Sequence, residues 1–197
     1  MQFLDKNTIK LDKVESELDS FTLEFTKTLS KYSDYVLVSG YIAILFGRNR
    51  ASEDIDIFIP KITEAKLKPL IEELDKNGFW ILNEDNDGVH SLLNQGLAVR
   101  FAKKGTVEPN AEVKFAKKST DFYSLENKIS VILKSGELLI SPIEMNIAYK
   151  LFLSSQKDVE DARFLFKLFR EKLDMKNLED FVKLLKVEDS YKKYLKD

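Results

Sequence analysis

The pattern of apolar and polar residues predicts a strand, a short helix and a second strand between residues 35 and 59. Residues 35–38 form a short apolar run with two valines, which is typical of a buried strand. Ser39 and Gly40 interrupt this run, and the apolar residues 41–46 predict a short helix. Residues 54–59 alternate between polar or aromatic and isoleucine side chains. The alternation predicts a strand with Asp54 and Asp56 on one face.

The rest of the chain alternates between helical and strand patterns. Apolar residues at helical spacing predict long helices over residues 10–32 and 63–77. A strand over 79–82 and a short helix with His90 over 89–94 follow. Two β-hairpins come next. The first has strands at 97–101 and 111–115, and the second has strands at 128–133 and 137–140.

The last quarter of the chain reads as helical. Ser141, Pro142 and Glu144 have the spacing of a helix N-cap with a capping box. Further helical patterns begin near Lys157 and Asn177. We therefore predict an α/β (α+β) fold in which helices flank a mixed sheet, divided into a core over residues 1–140 and a helical subdomain over 141–197.

Composition narrows the chemistry that this chain can perform. The sequence has no cysteine and one histidine, which excludes disulfides, zinc–thiolate centres and multi-histidine metal sites. The formal net charge of −2 gives no general attraction to nucleic acid, although local basic patches remain open. The N-terminus lacks the apolar segment of a signal peptide, and no stretch is long and apolar enough to span a bilayer. We expect a cytoplasmic protein without membrane contact.

The two aspartates of the second strand are the main chemical signal. Their Cα atoms are expected about 7 Å apart on one face, and like charges this close favour a cation between them. Mg²⁺ binds carboxylate and phosphate oxygens together, and Mn²⁺ is an alternative. A turn that accommodates phosphate, followed by a metal-binding Asp-x-Asp strand, suits nucleotidyl transfer. The alternative for Asp54 and Asp56 is a solvated strand face.

The order of these motifs resembles the signature of the DNA polymerase β-like nucleotidyltransferase superfamily. Residues 38–59 look most similar to small prokaryotic nucleotidyltransferases of the AbiEii toxin type and related groups, with Ser39 at the first glycine of the turn and Ser52 at a threonine. The resemblance implies that Ser39 and Gly40 cradle a triphosphate. It also implies that Arg50 and Ser52 contact phosphates, while Arg50 could equally pair with Glu53.

The resemblance also implies a third carboxylate from a later strand that lies beside the Asp-x-Asp strand. Glu112 is the candidate, because it alternates with apolar neighbours in the predicted hairpin. It would join Asp54 and Asp56 as a catalytic residue and metal ligand. The alternative is an exposed glutamate that faces Lys114.

The C-terminal helices carry a second part of the resemblance, in the segments 141–151 and 157–162. By resemblance, Lys150 reaches the nucleotide phosphates, and Asp158 lines the cleft with Lys157 and Asp161. The alternative makes Lys150 a surface lysine and Asp158 a first-turn residue that complements the helix dipole.

These observations favour a metal-dependent enzyme that transfers a nucleoside monophosphate from a nucleoside triphosphate to a tRNA-like nucleic acid or a protein. A toxin with an antitoxin partner is one form of this hypothesis. The alternative is a nucleotide-binding or interaction module that keeps the fold without turnover. The apolar stripe over residues 10–32 serves either as a homodimer surface or as part of the chain's own core.

Overall fold

The computed structural model describes residues 1–50, 54–83 and 88–196. Within these ranges, the strands are β1 (Gln2–Phe3), β2 (Thr8–Lys10), β3 (Val36–Val38), β4 (Asp54–Ile59), β5 (Phe79–Ile81), β6 (Val99–Lys103), β7 (Asn110–Phe115), β8 (Ile129–Ile132) and β9 (Glu137–Ile140).

The helices are α1 (Glu17–Leu29), α2 (Gly40–Leu45), α3 (Glu64–Lys76), α4 (Val89–Gln95), α5 (Ser119–Glu126), α6 (Ile143–Leu153), α7 (Gln156–Phe169), α8 (Met175–Leu184) and α9 (Glu188–Tyr191). A π-helical segment, Lys192–Lys196, follows α9. The predicted α/β fold is confirmed, and each sheet strand precedes residue 141 while α6 to α9 follow it. The division into two units stays a prediction.

The strands of the described residues form one mixed sheet in the order β1-β2-β8-β9-β3-β4-β7-β6-β5. The two predicted hairpins are present as the antiparallel pairs β6–β7 and β8–β9. The central strand β4 pairs antiparallel with β3 and parallel with β7. Because β7 is a neighbour of β4, side chains from 56 residues further along the chain lie beside the Asp-x-Asp strand.

The alternation of β4 gives the strand one buried face and one partly exposed face. Ile55, Ile57 and Ile59 are almost fully buried in the main hydrophobic core. Asp54, Asp56 and Phe58 lie on the opposite face and are partly exposed. Phe58 packs there against a second, smaller apolar cluster that includes residues of β3 and α5. The face of β4 that carries the aspartates is therefore packed against a small apolar cluster, whereas the other face is packed against the main core.

The first long helix begins later than its apolar pattern predicts. The prediction of a helix over residues 10–32 is wrong at its start, because Lys10 ends β2, which pairs parallel with β8, and the chain becomes helical only at Glu17. Helix α1 begins after Ser16, whose side chain accepts from the Asp19 backbone N–H while Asp19 accepts from the Ser16 N–H. This capping box fixes the start of the helix.

The predicted capping box at the start of α6 is absent. Pro142 is the N-cap residue and makes no side-chain cap hydrogen bond. The Glu144 carboxylate accepts instead from the backbone N–H of Asp174, near α8. Helix α6 packs against both α7 and α8, so this hydrogen bond supports packing among the C-terminal helices.

No helix in the described ranges is both long enough and apolar enough to cross a membrane.

Candidate active site

Two carboxylates lie side by side on the parallel strands β4 and β7. Asp56 and Glu112 are register partners, and Asp54 pairs with Asn110 two residues earlier on each strand. Strands in a sheet are about 4.8 Å apart, so the side chains of Asp56 and Glu112 leave the same face as close neighbours. The predicted position of Glu112 beside the Asp-x-Asp strand is confirmed. Its side chain is buried, and it is not an exposed strand glutamate.

Two cations contact this carboxylate pair. The Lys114 ammonium lies 3.3 Å from Asp56 Oδ1 and 3.1 Å from Glu112 Oε2. From the other neighbouring strand, Arg100 donates to Glu112 Oε1 from Nε at 2.8 Å, and its Nη2 lies 2.6 Å from the same oxygen. Both Glu112 oxygens are therefore bound by cations of the chain. The alternative interpretation of Glu112, an exposed glutamate that faces Lys114, is therefore right about the Lys114 contact and wrong about the exposure.

The environment moves the pKa values of the two carboxyls in opposite directions. Burial raises the pKa of Asp56, and the negative charges of Glu112 and Asp54 add to this effect, although Lys114 opposes it. Burial also acts on Glu112, but hydrogen bonds and charge attraction from Lys114 and Arg100 outweigh it and lower the pKa of Glu112. The two carboxylates in turn raise the pKa of Lys114 despite its own burial.

The predicted phosphate turn has an unusual backbone. Ser39 has φ 66° and ψ −138°, a region that residues with a side chain rarely adopt, and α2 begins at Gly40 directly after it. The Asn146 amide of α6 lies 3.5 Å from the Ser39 carbonyl oxygen. Such strain persists where the surrounding structure fixes it, and it occurs often at functional sites.

We expect Ser39→Gly to raise the free energy of unfolding by about 1 kcal/mol. Relief of about 1–3 kcal/mol of backbone strain exceeds the roughly 0.5–1 kcal/mol entropic cost of a glycine. Thermal unfolding should show a melting temperature about 2–4 °C higher. The control is Ser30→Gly, where φ is −62° and glycine should destabilise. A lower melting temperature for Ser39→Gly would contradict the interpretation of strain.

The absence of a side chain at Gly40 makes room for Arg50. A Cβ atom at Gly40 would lie 1.8 Å from Arg50 Nη2, so the guanidinium lies directly on this backbone. Arg50 Nε is also 3.2 Å from Asp161 Oδ1 of α7. The predicted alternative partner of Arg50, Glu53, and the predicted phosphate contact Ser52 lie outside the described residues.

A buried ion cluster joins the segment after α2 to the C-terminal helices. Lys150 is almost fully buried, and its Nζ lies 2.6 Å from Asp158 Oδ1 and 3.1 Å from Asp161 Oδ2. Arg48 pairs with Asp161 and, at 2.5 Å, with Glu160. The pKa of Asp158 is lowered, because the hydrogen bonds from Lys150 and Ser155 outweigh its partial burial. Lys150 and Asp158 thus contact each other, and Lys150 is not the surface lysine of the alternative.

A cavity of about 240 Å³ adjoins Asp56 of the carboxylate pair. Ser39, Asp56 and Lys114 are among the residues that line it. Its remaining walls come mainly from β3, β4, α5 and α6, with the lining residues Val38, Phe58, Thr120, Asp121, Ser124, Ser141, Met145, Asn146, Tyr149 and Leu153. The cavity therefore combines apolar walls with the charged side chains of Asp56 and Lys114.

The donor set fits Mg²⁺ in part. Carboxylate oxygens suit this ion, which proteins often bind through one or two carboxylates together with substrate phosphates. Burial and like charge raise the pKa of Asp56, so a cation would offset the charge there. Among residues 1–50, 54–83 and 88–196, however, no group of three acidic or histidine side chains is arranged around a metal position. Lys114 lies between two of the three predicted ligands.

The fold is shared with known structures at low sequence identity. No protein-family model matches the sequence, and no curated protein sequence matches it significantly. The backbone is similar to an antigenic nucleotidyltransferase-like protein from Paracoccidioides brasiliensis, with a TM-score of 0.52 and 15% identity over 90% of each chain. The fold is that of the nucleotidyltransferases.

A second similarity is to the antibiotic-resistance factor ANT(2'')-Ia. Its solution structure gives a TM-score of 0.51 at 12% identity over 86% of this chain and 91% of that chain. Its crystal structure with adenylyl-2''-tobramycin gives a TM-score of 0.50 at 12% identity over 83% and 93%. The nucleotidyltransferase fold is thereby supported, whereas the closer resemblance to AbiEii-type proteins stays a prediction.

Some residues around the centre carry no signal strong enough for prediction. Arg100 lies on the strand paired with Glu112, and only a correct hairpin register would reveal their contact. Lys114 follows Glu112 by two residues and hence shares its face, which was visible in the alternation. Asn146 and Arg48 reach the site through tertiary packing, for which a single sequence gives no indication.

Proposed function

We propose that the protein is a metal-dependent nucleotidyltransferase that transfers a nucleoside monophosphate from a nucleoside triphosphate to an acceptor and releases pyrophosphate. The observation that carries the proposal is the pair Asp56 and Glu112, side by side on β4 and β7, with Asp56 lining a cavity that also borders the Ser39 turn. The nucleotidyltransferase fold supports the same assignment.

Asp54 and Asp56 would hold Mg²⁺ or Mn²⁺ between the protein and the triphosphate. The ion would supply charge neutralisation on the transferring phosphoryl group and the leaving pyrophosphate. Glu112 is better suited as a metal ligand than as a general base, because its lowered pKa makes it a weak proton acceptor.

The Ser39–Gly40 turn and Arg50 would contact the phosphates. The Arg50 guanidinium already lies on Gly40, where a phosphate would approach the backbone. Lys150 and Asp158 are engaged with each other, so we assign them a positioning role. They hold α6 against α7, which carries the Asp161 partner of Arg50.

The cavity would receive the nucleoside or the reacting end of the acceptor. Phe58, Met145 and Tyr149 offer apolar surface for a ring, and Asn146 offers an amide for hydrogen bonding. A tRNA-like or protein acceptor, a toxin activity with an antitoxin partner, and a homodimer stay predictions. The similarity to ANT(2'')-Ia, whose crystal structure holds adenylyl-2''-tobramycin, adds a small-molecule acceptor as a class to test.

The test is label transfer from each of the four α-labelled nucleoside triphosphates with Mg²⁺. The acceptors are total tRNA, the protein itself and an aminoglycoside panel. We expect transfer to at least one acceptor class that is lost in the Asp54→Ala, Asp56→Ala double variant. The matched control is Asp75→Asn, an exposed carboxylate on α3 that pairs only with surface Lys104 among the described contacts. Transfer that persists in the double variant would contradict the proposal.

One observation favours the second candidate, a nucleotide-binding module without turnover. Lys114 and Arg100 bind both oxygens of Glu112, which leaves it poorly available to a metal. Calorimetry would then show nucleotide binding by the wild-type protein, with no labelled product for any acceptor.

A further inference from the structure

The position between Asp56 and Glu112 is filled by an ammonium group of the chain itself. Lys114 Nζ lies 3.3 Å from one carboxylate and 3.1 Å from the other. Lys114 follows Glu112 by two residues in β7, so its side chain points to the same face of the sheet. The three side chains form a cation with two anions on adjacent strands, at two of the three carboxylates to which the proposed function assigns the metal.

This ammonium and a metal bound to both carboxylates exclude each other. Mg²⁺ binds oxygens at about 2.0–2.1 Å and requires near-octahedral geometry. Lys114 Nζ lies within 3.3 Å of both carboxylates, so a dication held by them would be a like charge close to the ammonium, and such charges repel strongly in a partly buried site. Metal entry at the pair therefore requires Lys114 to move.

The Lys114 side chain is flexible enough to move, and the cavity offers a place for its ammonium group. Its flexible four-carbon stem and compact charge allow it to exchange one anion for another. The side chain is about one-third exposed and lines the cavity that Ser39 also borders, where the proposed function locates the triphosphate. A bound triphosphate would offer several anionic oxygens to the ammonium at the edge of that cavity.

We propose that Lys114 is a resident counter-cation that occupies the metal position until nucleotide binds. In the free protein it holds Asp56 and Glu112 together and opposes metal binding. When nucleotide enters, the ammonium moves to the phosphates, and Asp56 and Glu112 would then be available to hold a metal. This inference rests on the proposed function, and it makes metal binding depend on nucleotide.

The test compares Mn²⁺ binding to the nucleotide-free protein in the wild type and in Lys114→Met, measured by the loss of the free Mn²⁺ signal in electron paramagnetic resonance. Methionine keeps most of the length of the side chain and removes its charge. We expect the Kd for Mn²⁺ to fall by about tenfold or more, because a like charge is removed from the metal position. Lys114→Arg keeps the charge and should stay as weak as the wild type.

Thermal unfolding gives a second readout that does not need activity. Lys114→Met should melt lower than the wild type in chelator, since the two carboxylates then repel each other, and Mn²⁺ should raise its melting temperature more than that of the wild type. Lys114→Gln serves the same comparison if the methionine variant does not fold. Unchanged or weaker Mn²⁺ binding by the neutral variants would overturn the inference.

A nucleotide arm separates this inference from the proposed function. Wild-type protein is titrated with a nucleoside triphosphate analogue that has a non-hydrolysable α–β linkage, in the presence of Mn²⁺. Tight binding of analogue and metal together, with no gain in metal affinity from Lys114→Met, would overturn the role of Lys114 and leave the proposed function standing. Absence of analogue binding would contradict both.

Discussion

Asp161→Ala is expected to lower the free energy of unfolding by about 3–5 kcal/mol, the range for a buried ion pair deprived of one partner. The Asp161 carboxylate is fully buried on α7, where Arg48, Arg50 and Lys150 all pair with it. Its removal leaves three mostly buried cations close together with less negative charge to offset them. Urea unfolding measures the loss, and the melting temperature should fall by roughly 6–20 °C.

The adjacent residue provides a matched control for this prediction. Glu160 also pairs with Arg48, at 2.5 Å, but half of its side chain is exposed. Exposed ion pairs contribute about 0–1 kcal/mol, so Glu160→Ala should remain close to wild type. Equal losses for the two variants would mean that burial does not determine the strength of this cluster.

We also expect Asp161→Ala to bind nucleotide more weakly than the wild type, although Asp161 itself would not contact the nucleotide. Asp161 holds the Arg50 guanidinium, which lies on Gly40 in the proposed phosphate turn. Loss of this ion pair would hold Arg50 less firmly on the turn, and the Kd for a nucleoside triphosphate should rise. Glu160→Ala should leave that Kd unchanged, because the described contacts of Glu160 reach Arg48 and Gln156 and do not include Arg50.

Local sequence patterns predicted the elements around the site because each has a periodicity of its own. The polar–apolar alternation of β4 and the break at Ser39 and Gly40 are both local features, and the structure confirms the strand, the turn and the short helix α2. The start of α1 was predicted wrongly because β2 has only three residues and exists through its pairing with the distant β8. Such a strand has no local signal that distinguishes it from the first turn of a helix.

The position of Glu112 and its neighbour Lys114 could be predicted, whereas the contact of Glu112 with Arg100 could not. Alternation in the hairpin and the family resemblance together indicated a carboxylate beside Asp56, and the strand register confirms it. Which cation satisfies that carboxylate depends on side-chain conformation and on the register of β6 with β7. The contact of Lys150 with Asp158 and Asp161 depends likewise on how α6 packs against α7.

The charges around Asp56 lead us to expect that its carboxylate matters more for activity than for the stability of the fold. The raised pKa of Asp56 means that the native state binds a proton there more readily than the unfolded chain does. Its contribution to stability is therefore present below the unfolded-state pKa and is lost as pH rises through the higher native pKa. At neutral pH the ionised carboxylate does not stabilise the fold, which is the expected property of a group kept for its chemistry.

Asp56→Asn is accordingly expected to abolish most of the nucleotidyl transfer while it leaves stability at neutral pH unchanged or slightly higher. Loss of a metal-binding carboxylate removes several kcal/mol of transition-state stabilisation, which corresponds to a fall of about a thousandfold or more in kcat/KM. The amide keeps the size of the side chain, and Lys114 keeps its contact with Glu112. Transfer kinetics and thermal unfolding on the same preparation test both parts. A variant that lost activity and stability together would assign Asp56 a structural role, and one that lost neither would remove it from the site.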